Sequence, residues 1–363
     1  MKPCIAFDGS CLGGSRPTGV ERCFLRTLDA FSRFDEHRIV LFVPYDCHVS
    51  ISGPDCAIAS GIDVRVLPKV ALPVWRRFFL PRQLATLRAR ALLTPTTALP
   101  ARAPCPTIAT VHELPPSVEE DGEDSRLRAY RQRRARRALI ARATAVIVPS
   151  RRTLDDLLAE EPHLASRAHV IAQPLGRAAL TASSEHSPPS RHRRGVVFVG
   201  ASRRRKNLHR VARAHAMLEP AMRREHPMTW IGYERAASFS PPEDWELVRG
   251  ATDDEVVSRI ADARGVVLAS CSEGFGLPAF EALACGRPAL VAERSPAHDA
   301  CGDLVATCDP YDVASIVRGL ERLLRDEALA TRASIRGPSF ARDFTPDATA
   351  RGWRSLLAEV AHS

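Results

Sequence analysis

The sequence predicts an α/β protein of two successive parallel-sheet domains, and three observations carry that reading. Short β-branched runs alternate with segments of helical apolar spacing, the signature of β-α-β units. The 363 residues suffice for two domains that each bury a core. Between Gly176 and Gly195 the composition turns to Ala, Ser, Pro and Arg, including Ser187-Pro188-Pro189-Ser190, and a second series of strands and helices follows. The expected boundaries are a first domain over 1–180, a linker over 181–194, a second domain over 195–345 and a closing helix over 346–363.

In the first domain the strand candidates are Cys4–Phe7, Ile39–Val43, Val64–Leu67, Thr107–Val111, Ala145–Val148 and Val170–Ala172. The start, Met1-Lys2-Pro3, reads as the approach to a strand and not as a signal peptide, so a cytoplasmic location is expected. Thr18 and Glu21 form a capping box for the first helix, along which Val20, Phe24, Leu28 and Phe31 repeat on one face. The second domain offers strands at Val196–Val199, Thr229–Ile231, Glu246–Val248, Val266–Ala269 and Ala289–Val291. The stretch from Pro346 to Ala361 reads as one helix carrying Trp353, Leu356, Leu357 and Val360.

Hydrophobic content of 45% and charged content of 26% are ordinary for a soluble chain. No apolar run approaches the roughly 20 residues that span a bilayer. The ten cysteines are scattered, with no C-x-x-C pair, which favours free buried thiols over disulfides or a zinc site. The net charge of +9 is uneven: residues 1–180 hold 26 Lys and Arg against 18 Asp and Glu, the remainder 25 against 24. The first half therefore suits an anionic partner. Within it, Trp75-Arg76-Arg77-Phe78-Phe79-Leu80 interleaves aromatics with cations, and Arg126 to Arg142 puts eight arginines into one expected helix. Either segment suits an anionic membrane face, and either also reads as a helix whose arginines cover its solvent side. Nucleic acid is disfavoured, because no helix-turn-helix, zinc-finger or RNA-binding signature accompanies the charge.

The densest chemistry runs from Cys271 to Asp303. Strand Gly265–Ala269 leads into Ser272-Glu273-Gly274-Phe275-Gly276-Leu277-Pro278 and then a helix ending near Gly286. Glycines before a helix start let backbone N–H groups close on an anion, and the helix dipole adds a partial positive charge there. Glu281, one turn in, suits a ribose diol, and Glu273 lies on the loop beside whatever the phosphate carries. A lone Gly-x-Gly would be an ordinary turn; two carboxylates spaced around a strand–loop–helix are more specific. Gly200-Ala201-Ser202-Arg203-Arg204-Arg205-Lys206-Asn207 follows strand Val196–Val199 and supplies four consecutive cations, a second half for a diphosphate clamp. No Asp-x-Asp occurs, so the cations are expected to neutralise a leaving diphosphate with no metal and no cofactor.

These motifs resemble glycosyltransferase family 4: Glu273-x7-Glu281 within Ser-Glu-Gly-Phe-Gly-Leu-Pro-x3-Glu-Ala-Leu-Ala-Cys-Gly-x-Pro, preceded by Gly-x5-Lys-Asn. The likeness continues through Thr18-Gly19-Val20-Glu21-Arg22, Thr110-Val111-His112-Glu113-Leu114-Pro115, Val148-Pro149-Ser150, Pro174-Leu175-Gly176 and Cys308-Asp309-Pro310-Tyr311-Asp312. The resemblance implies the GT-B fold, two Rossmann-like domains facing across a cleft, with the last helix a candidate to cross back to the first. It implies retaining transfer of a hexose from a nucleotide-sugar donor to a glycan or lipid-linked glycan, with a lean to mannose from a GDP donor and other sugars open. It assigns Arg205 and Lys206 to the donor diphosphate, Phe275, Gly276 and Leu277 to amide contacts with sugar and phosphate, Glu273 to the sugar and Glu281 to the ribose. Gly200, which opens the cation loop, is assigned to donor nucleotide binding, Gly19 to the diphosphate, and His112, otherwise an ordinary strand-end histidine, to the sugar hydroxyls. Glu113 and Asp299 stand where similar members often have Asp and Glu. Bacterial members commonly extend lipid-borne glycans, which implies peripheral attachment to the inner membrane face. Two other readings stay open: a nucleotide-sugar epimerase of the same fold, and a non-enzymatic protein binding anionic surfaces or nucleic acid.

Overall fold

The computed structural model describes residues 2–12, 19–32, 36–44, 52–53, 56–57, 61–96, 99–114, 134, 136–137, 140–184, 193–232 and 239–361. The chain divides into two compact units, the first containing Met1–Leu114, Leu127–Pro174 and Pro346–Ser363, the second Leu175–Thr345 together with Pro115–Arg126.

The first unit is built on a parallel sheet of β1 (Cys4–Asp8), β2 (Arg38–Val43), β3 (Ile62–Val66), β4 (Ala89–Thr94), β5 (Thr107–Thr110), β6 (Ala145–Val148) and β7 (Ala168–Val170). The strand order is β3-β2-β1-β4-β5-β6-β7, with Ile5 beside Ile39 and Phe7 beside both Leu41 and Leu93. Strand β4 was not expected from the sequence. Its Ala-Arg-Ala-Leu-Leu-Thr has helix-forming residues, yet tertiary context seats it beside β1, where Leu92 and Leu93 are buried. Helix α1 (Gly19–Ser32) buries Phe24, Leu28 and Phe31, as its spacing predicts. Thr18, the expected cap, lies outside the described residues. Trp75 is fully buried, edge-on to Phe42 at 5.7 Å, so it packs the core and is not a surface anchor. Of the arginine-rich stretch 126–142 most lies outside the described residues.

The second unit has a parallel sheet of β8 (Val196–Val199), β9 (Met228–Ile231), β10 (Glu246–Val248), β11 (Gly265–Leu268), β12 (Ala289–Ala292) and β13 (Val305–Cys308), in the order β10-β9-β8-β11-β12-β13. This is the doubly wound pattern, in which the order reverses beside the first strand and ligand sites gather at the carboxyl ends near that reversal. Strand β13, missed in the sequence, pairs Val305 to Cys308 with Ala289 to Ala292 at the sheet edge. The expected linker starts as structure: α2 (Arg177–Ser184) is a helix of the second unit with Ala179 and Ser183 buried. Its Ala-rich composition, read as a tether, is equally a good helix former. Residues 185–192 lie outside the described set.

The closing helix α3 (Pro346–Ala361) belongs to the first unit, 346–361 having been expected as one helix. Trp353 meets Phe31 edge-on at 5.3 Å, and Leu356, Leu357 and Val360 join the same core.

Candidate functional site

In the second unit the loop after β8 and the loop after β11 meet at the carboxyl ends of adjacent strands. The Cys271 amide donates to the Arg205 carbonyl (2.8 Å), and the Arg205 guanidinium donates back to the Ser272 carbonyl (3.1 Å). Lys206 Nζ hydrogen-bonds Glu273 Oε1, and Arg205 lies 3.9 Å from Oε2. Burial alone would raise the Glu273 carboxyl, but Lys206 and then Arg205 outweigh it, so the group sits below the ordinary carboxylate range. Two of the four expected cations are thus gathered around one buried carboxylate.

Two close backbone approaches hold the cation loop. Trp230 Nε1 donates to the Gly200 carbonyl (2.7 Å), and a Cβ on Gly232 would stand 2.0 Å from that same oxygen. Asn207 closes the loop in the left-handed region (φ 64°), fully buried, with its amide donating to the carbonyls of Ala269 (2.9 Å) and Pro310 (2.6 Å). One side chain therefore ties the ends of β8, β11 and β13 together. The position of Asn207 directly after a cation run at a strand end is the one local sign of this role; its partners are 62 and 103 residues away.

Helix α4 (Leu277–Ala284) starts at Leu277, one residue before Pro278, the expected first position. Gly276 caps it at φ 94°, where a side chain would be strained and its Cβ would press to 3.0 Å on Ala297. Leu277 and Pro278 fill the first two helical positions, so the missing Pro278 N–H is one that the helix would leave unpaired. Phe275 stacks on Phe280 at 4.3 Å, and Phe344 closes edge-on over both. Glu281 is 9% exposed and one turn into the helix. Gly200, Arg205, Lys206, Glu273, Phe275, Gly276, Leu277 and Glu281 are thus assembled on one end of one sheet.

Gly19 and His112 belong to the first unit. Gly19 opens α1, and among the described residues no atom would crowd a Cβ there. His112 lies just beyond β5, its Nε2 donating to the Pro95 carbonyl (2.8 Å), while the Gln173 amide donates to Nδ1 (3.2 Å). Burial pushes the imidazole below the usual histidine value, only partly offset by the Pro95 contact. It is a neutral ring with both nitrogens engaged, lining a pocket with Thr94, Thr110, Gln173, Thr349 and Trp353. Nearby, at the end of β1, buried Asp8 accepts from Arg76 Nε (3.2 Å), and Arg76 also donates to Ser10 (2.6 Å). Arg76, read in the sequence as one of the cations interleaved with aromatics, is thus paired inside the protein; it and Gln173 meet partners remote along the chain, which local pattern does not reveal.

Asp299, one of the two departures, is on the short helix Pro296–Cys301, half exposed beside His298. Eight described cysteines are free thiols.

Two family models match the chain, "Glycosyltransferase Family 4" over residues 17–174 and "Glycosyl transferases group 1" over residues 183–340. Among curated relatives, O-antigen chain mannosyltransferase B of Escherichia coli is 28% identical over 162 residues, 41% of this chain and 42% of that one. D-inositol 3-phosphate glycosyltransferase of Frankia alni is 35% identical over 127 residues, 34% of this chain and 28% of that one. The matched stretches span less than half the length of these relatives. Solved structures share the fold across the whole length. Sucrose-phosphate synthase from Thermosynechococcus elongatus superposes with a TM-score of 0.74 at 17% identity, covering 99% of this chain and 100% of the other. WaaG, a glycosyltransferase involved in lipopolysaccharide biosynthesis, gives 0.67 at 14%, covering 97% and 98%. The fold is therefore GT-B, and with the two models matching its two halves in order, the chain belongs to the family 4, group 1 glycosyltransferases.

Proposed function

We propose that this protein transfers a hexose, mannose from GDP-mannose being the leading donor, to a lipid-linked glycan with retention of anomeric configuration and without a metal ion. The carrying observation is Lys206 and Arg205 converging on Glu273 beside a glycine-started helix. Arg205, Lys206 and the amides at the start of α4 lie on the loops at one end of the sheet, and such fixed charges and dipoles would stabilise charge growing on a departing diphosphate. Glu273, kept ionised, suits the sugar; Phe275, Gly276 and Leu277 suit sugar and phosphate; Glu281 suits the ribose. The family resemblance also assigns Gly19 to the diphosphate. His112 offers the sugar a neutral ring and must exchange Gln173 or Pro95 before it can bind a hydroxyl. The mannosyltransferase relatives support mannose as the sugar, and the O-antigen chain in the name of one of them supports a glycan acceptor.

The reading includes a peripheral site at an anionic inner membrane face. Residues 64–112 carry eight Lys and Arg and no Asp or Glu; Arg65 and Arg76 are paired within the protein, with Asp63 and Asp8, leaving at most six for a surface. Val66, Leu72, Val74, Phe78 and Phe79 are exposed on the same stretch. Each cation near such a surface contributes about 1 kcal/mol. Among the described residues no helix is long and apolar enough to cross a membrane.

The test supplies the full chain with GDP-mannose, UDP-glucose and related donors, with and without a lipid-linked glycan acceptor. The expected result is acceptor-dependent release of nucleoside diphosphate and, by NMR, a product anomer matching the donor. Isomerised donor without acceptor would make it an epimerase; binding to oligonucleotides without turnover would make it a non-enzymatic binder. Co-flotation with anionic but not zwitterionic liposomes, weakened by salt and by Phe78→Ser with Phe79→Ser, tests the location.

A further inference from the structure

At the opposite, amino-terminal edge of the second sheet a different group of cations gathers. Arg193 precedes β8, Arg264 precedes β11 and Arg287 precedes β12, and these are hydrogen-bonded neighbours in the sheet. Strand pairing holds their backbones in line: the Arg264 amide donates to the Gly195 carbonyl (2.9 Å) and the Val266 amide to the Pro288 carbonyl (3.2 Å). Arg264 is satisfied, donating to the Leu324 carbonyl (3.1 Å) and to Glu327 (2.9 Å). Arg287 is not. Its residue is 4% exposed, and among the described residues its Nε and Nη2 meet no acceptor; nor does Nε of Arg193.

A buried guanidinium without acceptors is costly, and the protein's own groups compensate it little. Asp262, largely exposed, reaches Arg193 only at 3.9 Å. Glu327 is committed to Arg264. Cys285, two residues before Arg287, stays a neutral thiol, pushed to about 12 by burial and by Glu281. Arg194 and Arg264 instead flank His226 on the same edge and help to keep it neutral after burial has lowered it. Burial and then the Arg193 charge bring Arg287 itself down to about 10. The C-terminal end of α4, where the Arg287 amide donates to the Ala282 carbonyl (2.8 Å), offers a partial negative charge of about half a unit at most.

We propose that Arg287 and Arg193, flanked by Arg264, form a binding site for a compact phosphoryl oxyanion on the edge of the second unit opposite the Lys206–Glu273 loops. A tetrahedral oxyanion supplies several acceptors at once, which matches the planar guanidinium donors of two arginines. The ligand is free inorganic phosphate or the phosphoryl group of a small metabolite.

The experiment follows thermal unfolding of the full-length protein at constant ionic strength, replacing chloride by inorganic phosphate or by a hexose 6-phosphate. It is run in an Arg205→Ala/Lys206→Ala background, so that anion binding at the other end of the sheet does not contribute. A saturable rise in Tm is expected there, lost when Arg193→Ala is added and lost again with Arg287→Gln. A rise with inorganic phosphate assigns the free ion; a rise with the hexose phosphate alone assigns a phosphorylated metabolite. If Arg287→Gln fails to fold, Arg193→Ala, at the more exposed side chain, decides. No rise with either anion, or a rise unchanged by Arg193→Ala, overturns the proposal.

Discussion

The two units share a doubly wound sheet, yet the carboxyl ends of their strands hold opposite chemistry. In the second, Lys206 and Arg205 face a buried, ionised Glu273. In the first, His112 is held neutral between Pro95 and Gln173 in a pocket that also includes Thr110 and Trp353. The topology decides where a ligand can sit; which residues end the strands decides whether that place handles charge. A charged end can stabilise a leaving anion, whereas a neutral one can shape and orient a hydroxylated substrate.

The largest effect is expected where charge develops. Lys206→Ala should lower kcat/KM by roughly 30- to 1,000-fold, corresponding to ~2–4 kcal/mol of transition-state stabilisation. It should also destabilise the fold, since Glu273 is left buried and less compensated. Wild-type kinetics in a folded Lys206→Ala protein would erase the contrast between the two ends.

Glu281→Ala should act on binding instead, raising KM for the donor by about tenfold or more with kcat changed little, the scale of a lost hydrogen bond to a charged group. A fall in kcat at unchanged KM would move Glu281 from nucleotide binding to the reacting centre.

Acid should reach the two ends at different pH. The lowered Glu273 contributes stability fully above the ordinary carboxylate value of about 4.3, and that contribution is lost as pH falls through its folded value. The lowered His112 contributes fully above about 6.5 and is likewise lost as pH falls through its own folded value. In urea titrations the advantage of wild type over His112→Gln should therefore shrink below pH ~6.5, and that over Glu273→Gln only below ~4.3. Identical pH profiles for the two differences would contradict the separate environments.

The smallest effect expected is none at all. If cations and helix amides alone stabilise the leaving group, as proposed, excess EDTA should leave transfer unchanged; loss of activity restored by magnesium or manganese would show that the charged end is incomplete without an ion.

Much of this contrast was readable in the residues. Glu273, Gly276 and Glu281 stand within nine residues, so local rules of loop and helix capping reach them. The same holds for α1 and for the closing helix, whose apolar spacing was plain. Less local features were hidden. Strand β4 has the composition of a helix and is a strand because β1 and β5 flank it. Gln173 reaches His112 from 61 residues away, and Asn207 reaches Pro310 from 103. Lys206 and Glu273 were each singled out, but their direct pairing depends on β8 and β11 being neighbours, which periodicity does not encode.

The closing helix α3 has a consequence for synthesis. Its Trp353 and Leu356 complete the same core as Phe7 and Phe31, so the unit that is translated earlier finishes folding after the one translated later. The whole second unit is translated in between, a wait of about ten seconds or more at ~5–20 residues per second. During that time the apolar face of α1 lacks its helical cover, and the nascent first unit is the stage most open to chaperones and proteases. A stop codon or bulky fusion near residue 346 should therefore damage the unit that was made first and spare the one made just before it.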